Sequence, residues 1–479
     1  MVATMAEGGN ASAGDPSASV MCRLTTKLGE AFAVGGADVG FPTAVTRLGL
    51  SRTVNAMLSA KHTDATWDAR PFDFLVEGEL LRGELGEHLR ARGTSIERTL
   101  DVEYVLAVPP PQPPRSHTLP DWVSAVASAS LAACATRGPE LVLIAGCYDG
   151  TVGIFDPTPN ANEPALVRAA LHDDAIAAVC AVSTSGTSHS RADLLITGCK
   201  DGTLKASHVG AADPPSSAGV APLRVRPCLS LVGHAQGIEA VAAAPGGSRV
   251  CSAGWDRAIR LWALEQDEVV AALAPPPAEG KQAKRRRMGD AAPDAPEAVS
   301  VALASLEAHG DCVKALAWPD EPTLVSGSWD RTVRVWDVAV GRPAHTQRTE
   351  HAVFCVDAQP NTHLTLFGGP GGHALLWDPR AEGVAGVEGP QAHGVRAAGG
   401  KRGACLSGVR WHATSPWHFA CVDYAGHGAL WDVRCLGMPL HAMPEAHAGK
   451  ALCVAWAKDT IASGGEDKRL AIHDVAVTA

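Results

Sequence analysis

From residue 121 onward, short apolar runs alternate with tight polar turns, and the alternation repeats. The segment "SGSWDRTVRVWD" (326–337) is matched by "SAGWDRAIRLWA" (252–263), "AGCYDGTVGIFD" (145–156) and "TGCKDGTLKASH" (197–208). Weaker copies stand at 368–379, 423–434 and 463–474. Within each copy apolar and polar positions alternate with period two, break at a turn acid, and resume up to an aromatic position, so each predicts short strands joined by a hairpin. A histidine stands ahead of each of the last six copies: His172, His234, His309, His351, His393 and His447. Seven such units predict a radial array of small antiparallel sheets, an arrangement that leaves only short, protected strand edges.

Residues 19–107 follow another pattern. "VMCRLTTK" and "EAFAV" are expected to form a hairpin. "LSRTVNAMLSA" (50–60) has helical spacing, with Val54, Met57 and Leu58 on one face and Ser51 as a candidate cap. "FDFLVEG" (72–78) predicts a strand, "LGEHLRARG" (85–93) a short helix stopped by Gly93, and "LDVEYVLAV" (100–108) a last strand. Residues 1–18 are rich in Ala, Gly and Ser and are expected to be a disordered tail. A Pro-rich linker (108–120) joins the front domain to a ring at 121–479. Because the seventh unit ends at the last residue with room for only three strands, residues near Ser116–Leu119 are expected to supply its fourth.

Composition narrows the function. The net charge of −10 excludes a basic nucleic-acid binder as a whole, so any direct RNA contact is local. The 13 cysteines are scattered singly, without a C-x-x-C pair, which argues against a zinc ribbon or a disulfide framework. No run of 18 apolar residues is present, so no membrane span is expected. No phosphate-cradling, zinc-protease or nucleophile-elbow motif occurs, and the chain reads as a scaffold rather than an enzyme.

The repeated His, Ser, Asp and Trp positions resemble the WD repeat, and the resemblance covers about three quarters of the chain. It implies a mainly β chain: a seven-bladed WD-repeat β-propeller preceded by a ubiquitin-like α+β domain. In that family these four side chains form a hydrogen-bonded staple within each blade. Here the sets are His234, Ser252, Asp256 and Trp262, and His309, Ser326, Asp330 and Trp336. Recurrence of near-identical sets makes sense as structural staples and no sense as catalytic triads. Gly371 and Ala425 replace the turn Asp in two units, which are expected to lean on Trp377 and Trp431 instead.

In front, "PFDFLVEGELLRGEL" followed by "SIERTLDVEYV" resembles the ubiquitin-like N-terminal domain of the Notchless type. Together with the ring, the linker and a basic insertion (265–297), the chain resembles the WD-repeat ribosome-biogenesis factors of the PeBoW complex. That resemblance implies partners: Pescadillo, the block-of-proliferation protein, pre-60S particles and the AAA ATPase midasin. It implies a role in maturation of the 25S/28S and 5.8S rRNAs. It also implies that Glu97, in "TSIERTL", completes a divalent-cation (Mg²⁺) site carried by midasin, with Thr94, Ser95 and Arg98 flanking the contact and no cofactor of the chain's own. Arg98 is expected to point away from Glu97 along extended backbone. Lys281, Lys284, Arg285, Arg286 and Arg287 form a basic cluster expected to serve nuclear import, with nucleus, nucleolus and nucleoplasm as the location; RNA contact is secondary. Two alternatives stay open: a Notchless-type pre-60S factor, and a WD-repeat substrate adaptor of a ubiquitin ligase.

Overall fold

The computed structural model describes residues 18–475 except 37, 63–66, 96, 132–140, 159–164, 184–192, 212–222, 265–297, 361, 363, 381–392, 397–403, 437 and 444–445. The chain divides into two compact units, with the boundary between Pro109 and Pro110.

The first unit comprises β1 (Ser19–Thr25), α1 (Gly29–Phe32), β2 (Asp38–Pro42), α2 (Arg47–Lys61), β3 (Phe72–Val76), β4 (Glu79–Leu80), α3 (Leu85–Arg92) and β5 (Leu100–Leu106). They form one sheet in the order β2-β1-β5-β3-β4, with β1 and β5 parallel and the other pairs antiparallel. This is the ubiquitin-like arrangement. β1 alternates exposed and buried residues along its whole length, so Val20, Cys22 and Leu24 meet Leu50, Val54 and Leu58 of α2 in a core completed by Phe72, Phe74, Val102 and Tyr104.

Two local expectations fail here. "EAF" is a turn of helix, and β1 pairs with Asp38–Pro42 instead. The carbonyls of Glu30 and Ala33 accept hydrogen bonds from the Lys61 ammonium at 2.8 and 2.9 Å, and that of Phe32 accepts one from the Tyr104 hydroxyl at 2.5 Å, so tertiary partners replace a strand ladder. Ser51 is not a cap either: α2 begins at Arg47, and the buried Ser51 hydroxyl accepts the Phe72 N–H at 3.1 Å, tying helix to sheet.

The second unit contains seven sheets among the described residues. Their innermost strands are Val123–Ala129, Ile176–Ser183, Ile238–Ala243, Val313–Asp320, Cys355–Ala358, Leu406–Trp411 and Ala451–Ala457. Each packs on the next and the last packs on the first, which closes a seven-bladed propeller; the blades are numbered here in that order. Blade 7 takes its outer strand from β6 (Arg115–Thr118), which pairs antiparallel with Arg469–Asp474. The front side of the chain therefore fastens the ring, and what remains of the Pro-rich stretch outside strands is residues 107–114. His393 begins the outer strand of blade 5 rather than leading blade 6.

The staples differ by blade. In blades 3 and 4 they are complete. His309 Nδ1 lies 2.8 Å from Asp330, its Nε2 lies 2.7 Å from the Ser326 hydroxyl, and Trp336 Nε1–H donates to that hydroxyl at 2.8 Å. The corresponding distances for His234, Asp256, Ser252 and Trp262 are 2.8, 2.7 and 2.8 Å. Burial alone would raise the Asp330 carboxyl, but donation from His309, Thr332 and the Gly310 N–H outweighs it and holds the carboxyl well below the usual range. Blade 7 keeps His447, Ser463 and Asp467 but has His473 at the Trp position. Blade 2 joins His172 to Thr197 at 2.8 Å and reaches Asp201 only through Thr203. Blade 6 uses Trp431 Nε1–H donating to the Cys421 thiol at 3.2 Å. Blades 5 and 1 have the apolar pairs Phe367/Trp377 and Ala145/Phe155 at these positions, all buried.

The residue after the turn position has positive φ in every blade. It is Gly150, Gly202, Gly372 and Gly426 in blades 1, 2, 5 and 6, but Arg257, Arg331 and Lys468 in blades 3, 4 and 7. The three blades with a direct His–Asp bond are the three that carry a side chain at this strained position. The bond from His to the turn Asp fixes the turn from outside, so glycine is not required to reach it.

Candidate partner-binding site

α3 ends in a left-handed Gly93 (φ 67°), with the Gly93 N–H donating to the Arg90 carbonyl at 3.2 Å and the Thr94 N–H to the Leu89 carbonyl at 3.0 Å. The chain turns at Glu97 and Arg98 before β5 enters the centre of the sheet. Glu97 sits on that turn, exposed, and its backbone N–H donates to the Ser95 hydroxyl at 3.2 Å. The segment is thus built on two rigid neighbours, a capped helix and a buried strand.

No cation among the described residues pairs with the Glu97 carboxylate. Other acids nearby are engaged: Glu79 with Arg92, Glu103 with Lys27 at 3.0 Å, and Asp101 with Arg23 at 3.9 Å. Arg98 is separated from Glu97 for a reason the sequence did not suggest. The backbone at 97–98 is a turn, not extended, and the Arg98 guanidinium is drawn to Glu77. The Thr94 hydroxyl donates to the same Glu77 at 3.4 Å. Ser95, Thr94 and Arg98 do surround Glu97 in the chain, but only Thr94 and Arg98 converge on one group, and that group is Glu77. An exposed, unpaired carboxylate on a fixed turn fits the need of a hard cation for oxygen ligands.

The basic residues Lys281, Lys284, Arg285, Arg286 and Arg287 lie outside the described residues. In blade 2, His172, Cys199 and Asp201 come within metal-ligand spacing. His172 nevertheless spends one ring nitrogen on Thr197 and the other on Thr203, as a staple does. Among the described residues no helix is long and apolar enough to cross a membrane.

Residues 20–89 match the model of the NLE (NUC135) domain, and residues 225–263 and 300–337 match that of the WD domain, G-beta repeat. Over 465 residues the chain is 33% identical to the ribosome biogenesis protein WDR12 homolog of Oryza sativa subsp. japonica, covering 96% of this chain and 97% of the relative. The chain belongs to the WDR12 family of WD-repeat ribosome biogenesis proteins. The Arabidopsis thaliana homolog is 31% identical with 96% and 97% covered, and the Chlamydomonas reinhardtii homolog 33% with 95% and 97%. Family membership is thus carried by both units, and the NLE match runs from Val20 in β1 to Leu89 in α3, ending before Glu97.

Proposed function

We propose that this chain is a non-enzymatic assembly factor of the large (60S) ribosomal subunit and the WD-repeat subunit of the PeBoW complex. The propeller docks on the block-of-proliferation protein, which joins it to Pescadillo on pre-60S particles during maturation of the 25S/28S and 5.8S rRNAs. Midasin grips the ubiquitin-like unit and, with ATP, draws the factor off the particle. Likeness along nearly the whole chain to plant and algal proteins named for ribosome biogenesis supports the setting. The basic cluster at 281–287 directs nuclear import, leading to the nucleolus and nucleoplasm, with any rRNA contact there local and weak.

The observation that carries the reading is the Glu97 carboxylate: exposed, without a cation partner among the described residues, and held on a turn between α3 and β5. Mg²⁺ takes about six oxygen ligands, and a cation site on midasin with one open position is closed by a carboxylate from outside. Glu97 supplies that oxygen, and Thr94, Ser95 and Arg98 form its surroundings. The cation supplies charge for the contact; this chain supplies an ionised, pre-positioned ligand.

Pull-down of midasin from Mg²⁺ buffer by the tagged full-length chain tests this. Glu97→Ala is expected to abolish recovery of midasin while Pescadillo and the block-of-proliferation protein are retained, because an exposed turn substitution shifts stability by no more than roughly 0.5 kcal/mol. Undiminished midasin with the variant overturns the assignment.

A further inference from the structure

We propose that Glu77 is a positioning residue for the Glu97 contact: it holds Arg98 away from Glu97 and so keeps the ligand carboxylate available. This rests on the Glu97 reading above and adds a residue to it.

Glu77 and Gly78 form the tip of the β3–β4 hairpin, with φ values of 52° and 87°. A two-residue turn with both φ positive favours Asn-Gly or Asp-Gly, whose short polar side chains tolerate the left-handed region. Glu is a poor choice for the turn itself, so its presence points to work done by the side chain. That side chain reaches across to the loop after α3. One carboxylate oxygen receives the Arg98 guanidinium and the other accepts from the Thr94 hydroxyl at 3.4 Å. The neighbouring Glu79 takes Arg92, so the hairpin is pinned to both ends of the segment that leads to Glu97.

The arrangement solves a charge problem. Arg98 follows Glu97 directly, and a guanidinium free to turn toward it would screen the one acid that must stay open. Among the described residues, the Arg98 guanidinium pairs with Glu77 and the His88 imidazole lies near enough to feel its charge. Burial holds His88 below its ordinary pKa despite the nearby Glu77 charge, so at neutral pH Arg98 is the cation that Glu77 holds. With Arg98 captured 21 residues away in sequence, the exposed Glu97 has no counter-charge among the described residues.

The test uses full-length Glu77→Asn, Arg98→Gln and the double variant, with midasin binding measured in Mg²⁺ at low salt. Asn suits the turn better than Glu, so Glu77→Asn is expected to fold at least as well and yet bind about fivefold more weakly, the effect of one unit charge at ~4 Å in water. In the Arg98→Gln background, by contrast, Glu77→Asn is expected to cost no further binding, so the double variant binds like Arg98→Gln alone. A partner-free readout accompanies this. The Arg98 Nε–H resonance should respond to Glu97→Gln only when Glu77→Asn is also present. Wild-type affinity in Glu77→Asn, or a loss on Glu77→Asn that is just as large in the Arg98→Gln background, would overturn the proposal. Loss of response to Glu97→Ala would instead remove the underlying reading, while the resonance experiment would still decide where Arg98 goes.

Discussion

Ser326→Ala removes one hydroxyl and leaves two groups without partners. The Ser326 side chain is fully buried and joins His309 Nε2 at 2.7 Å to Trp336 Nε1 at 2.8 Å. The network assigns the proton of His309 to Nδ1, where it faces Asp330, so Nε2 accepts from the serine while Trp336 donates to it. Deletion orphans one buried acceptor and one buried donor. At about 1–3 kcal/mol for each, the expected loss is roughly 2–5 kcal/mol. Ser463→Ala in blade 7 is the internal control. Ser463 meets His447 Nε2 at 2.9 Å but has no indole to satisfy, because His473 occupies that position and its Nε2 has no partner among the described residues. Its loss should be about half as large. Blade 1 suggests a third arm. There Ala145 and Phe155 stand at the two positions together, so Ser326→Ala combined with Trp336→Phe should cost less than the two single changes added, since both ends of the bond are removed. Urea unfolding of the full chain followed by far-ultraviolet circular dichroism measures all four. If Ser326→Ala costs no more than Ser463→Ala, the shared-hydroxyl account of the staple is wrong.

Three other outcomes are expected. Burial lowers His172, His418 and His473 to about 4, so these groups stay neutral in the folded chain and protonate more readily once unfolded. Stability from each is complete above about pH 6.5 and lost as pH falls toward 4, by up to about 3 kcal/mol per residue; His473→Phe should flatten that part of the melting-temperature profile, and an unchanged slope would refute the assignment. Gly426 has φ +83°, and a Cβ there would lie 2.4 Å from the His447 carbonyl, so Gly426→Ala should destabilise by more than about 2 kcal/mol, whereas Arg331→Gly, at φ 63° with no such contact required, should be neutral or stabilising by up to about 1 kcal/mol; calorimetry compares them. Glu97→Asp should weaken midasin binding in the pull-down, since the shorter arm retracts the carboxylate, and equal binding would point to charge alone.

The ring was legible because each blade's chemistry is local. The acceptor Ser326, the turn Asp330 and the donor Trp336 lie within one hairpin, and a period-two pattern with a turn acid in its middle has few other solutions. The closing strand was legible by counting: a blade short of one strand must borrow it, and the residues ahead of Asp121 were the free ones. The errors fall where distant partners decide local structure. The Ser51 hydroxyl serves the Phe72 N–H rather than its own helix, and the Glu30 and Ala33 carbonyls answer to Lys61. Glu77 carried no sequence signal beyond being an unusual residue before Gly in a hairpin turn, because its meaning depends on Arg98.

The completeness of the blade 3 staple explains how the ring tolerates its longest interruption. The third strand of that blade, Ala258–Ala263, is separated from its outer strand, Ala304–Glu307, by residues 265–297 and more. Whatever path those residues take, bringing the chain back adds roughly 1–2 kcal/mol of closure entropy relative to a short link. His234, Asp256, Ser252 and Trp262 all belong to the part of the blade formed before the interruption, so its three inner strands are stapled without the fourth. The return is also guided: Ala298–Val301 first pairs in parallel with Leu223–Val232 of blade 2, and the chain then enters blade 3 a few residues later. That pairing divides the closure into two steps and leaves Val299 and Val301 exposed on an added fifth strand. Substituting Pro for Ser300, in the middle of this added edge strand, should therefore loosen the outer strand of blade 3 in amide exchange while the stapled inner strands keep their protection. If the inner strands lose protection equally, the staple does not make them independent of the outer one.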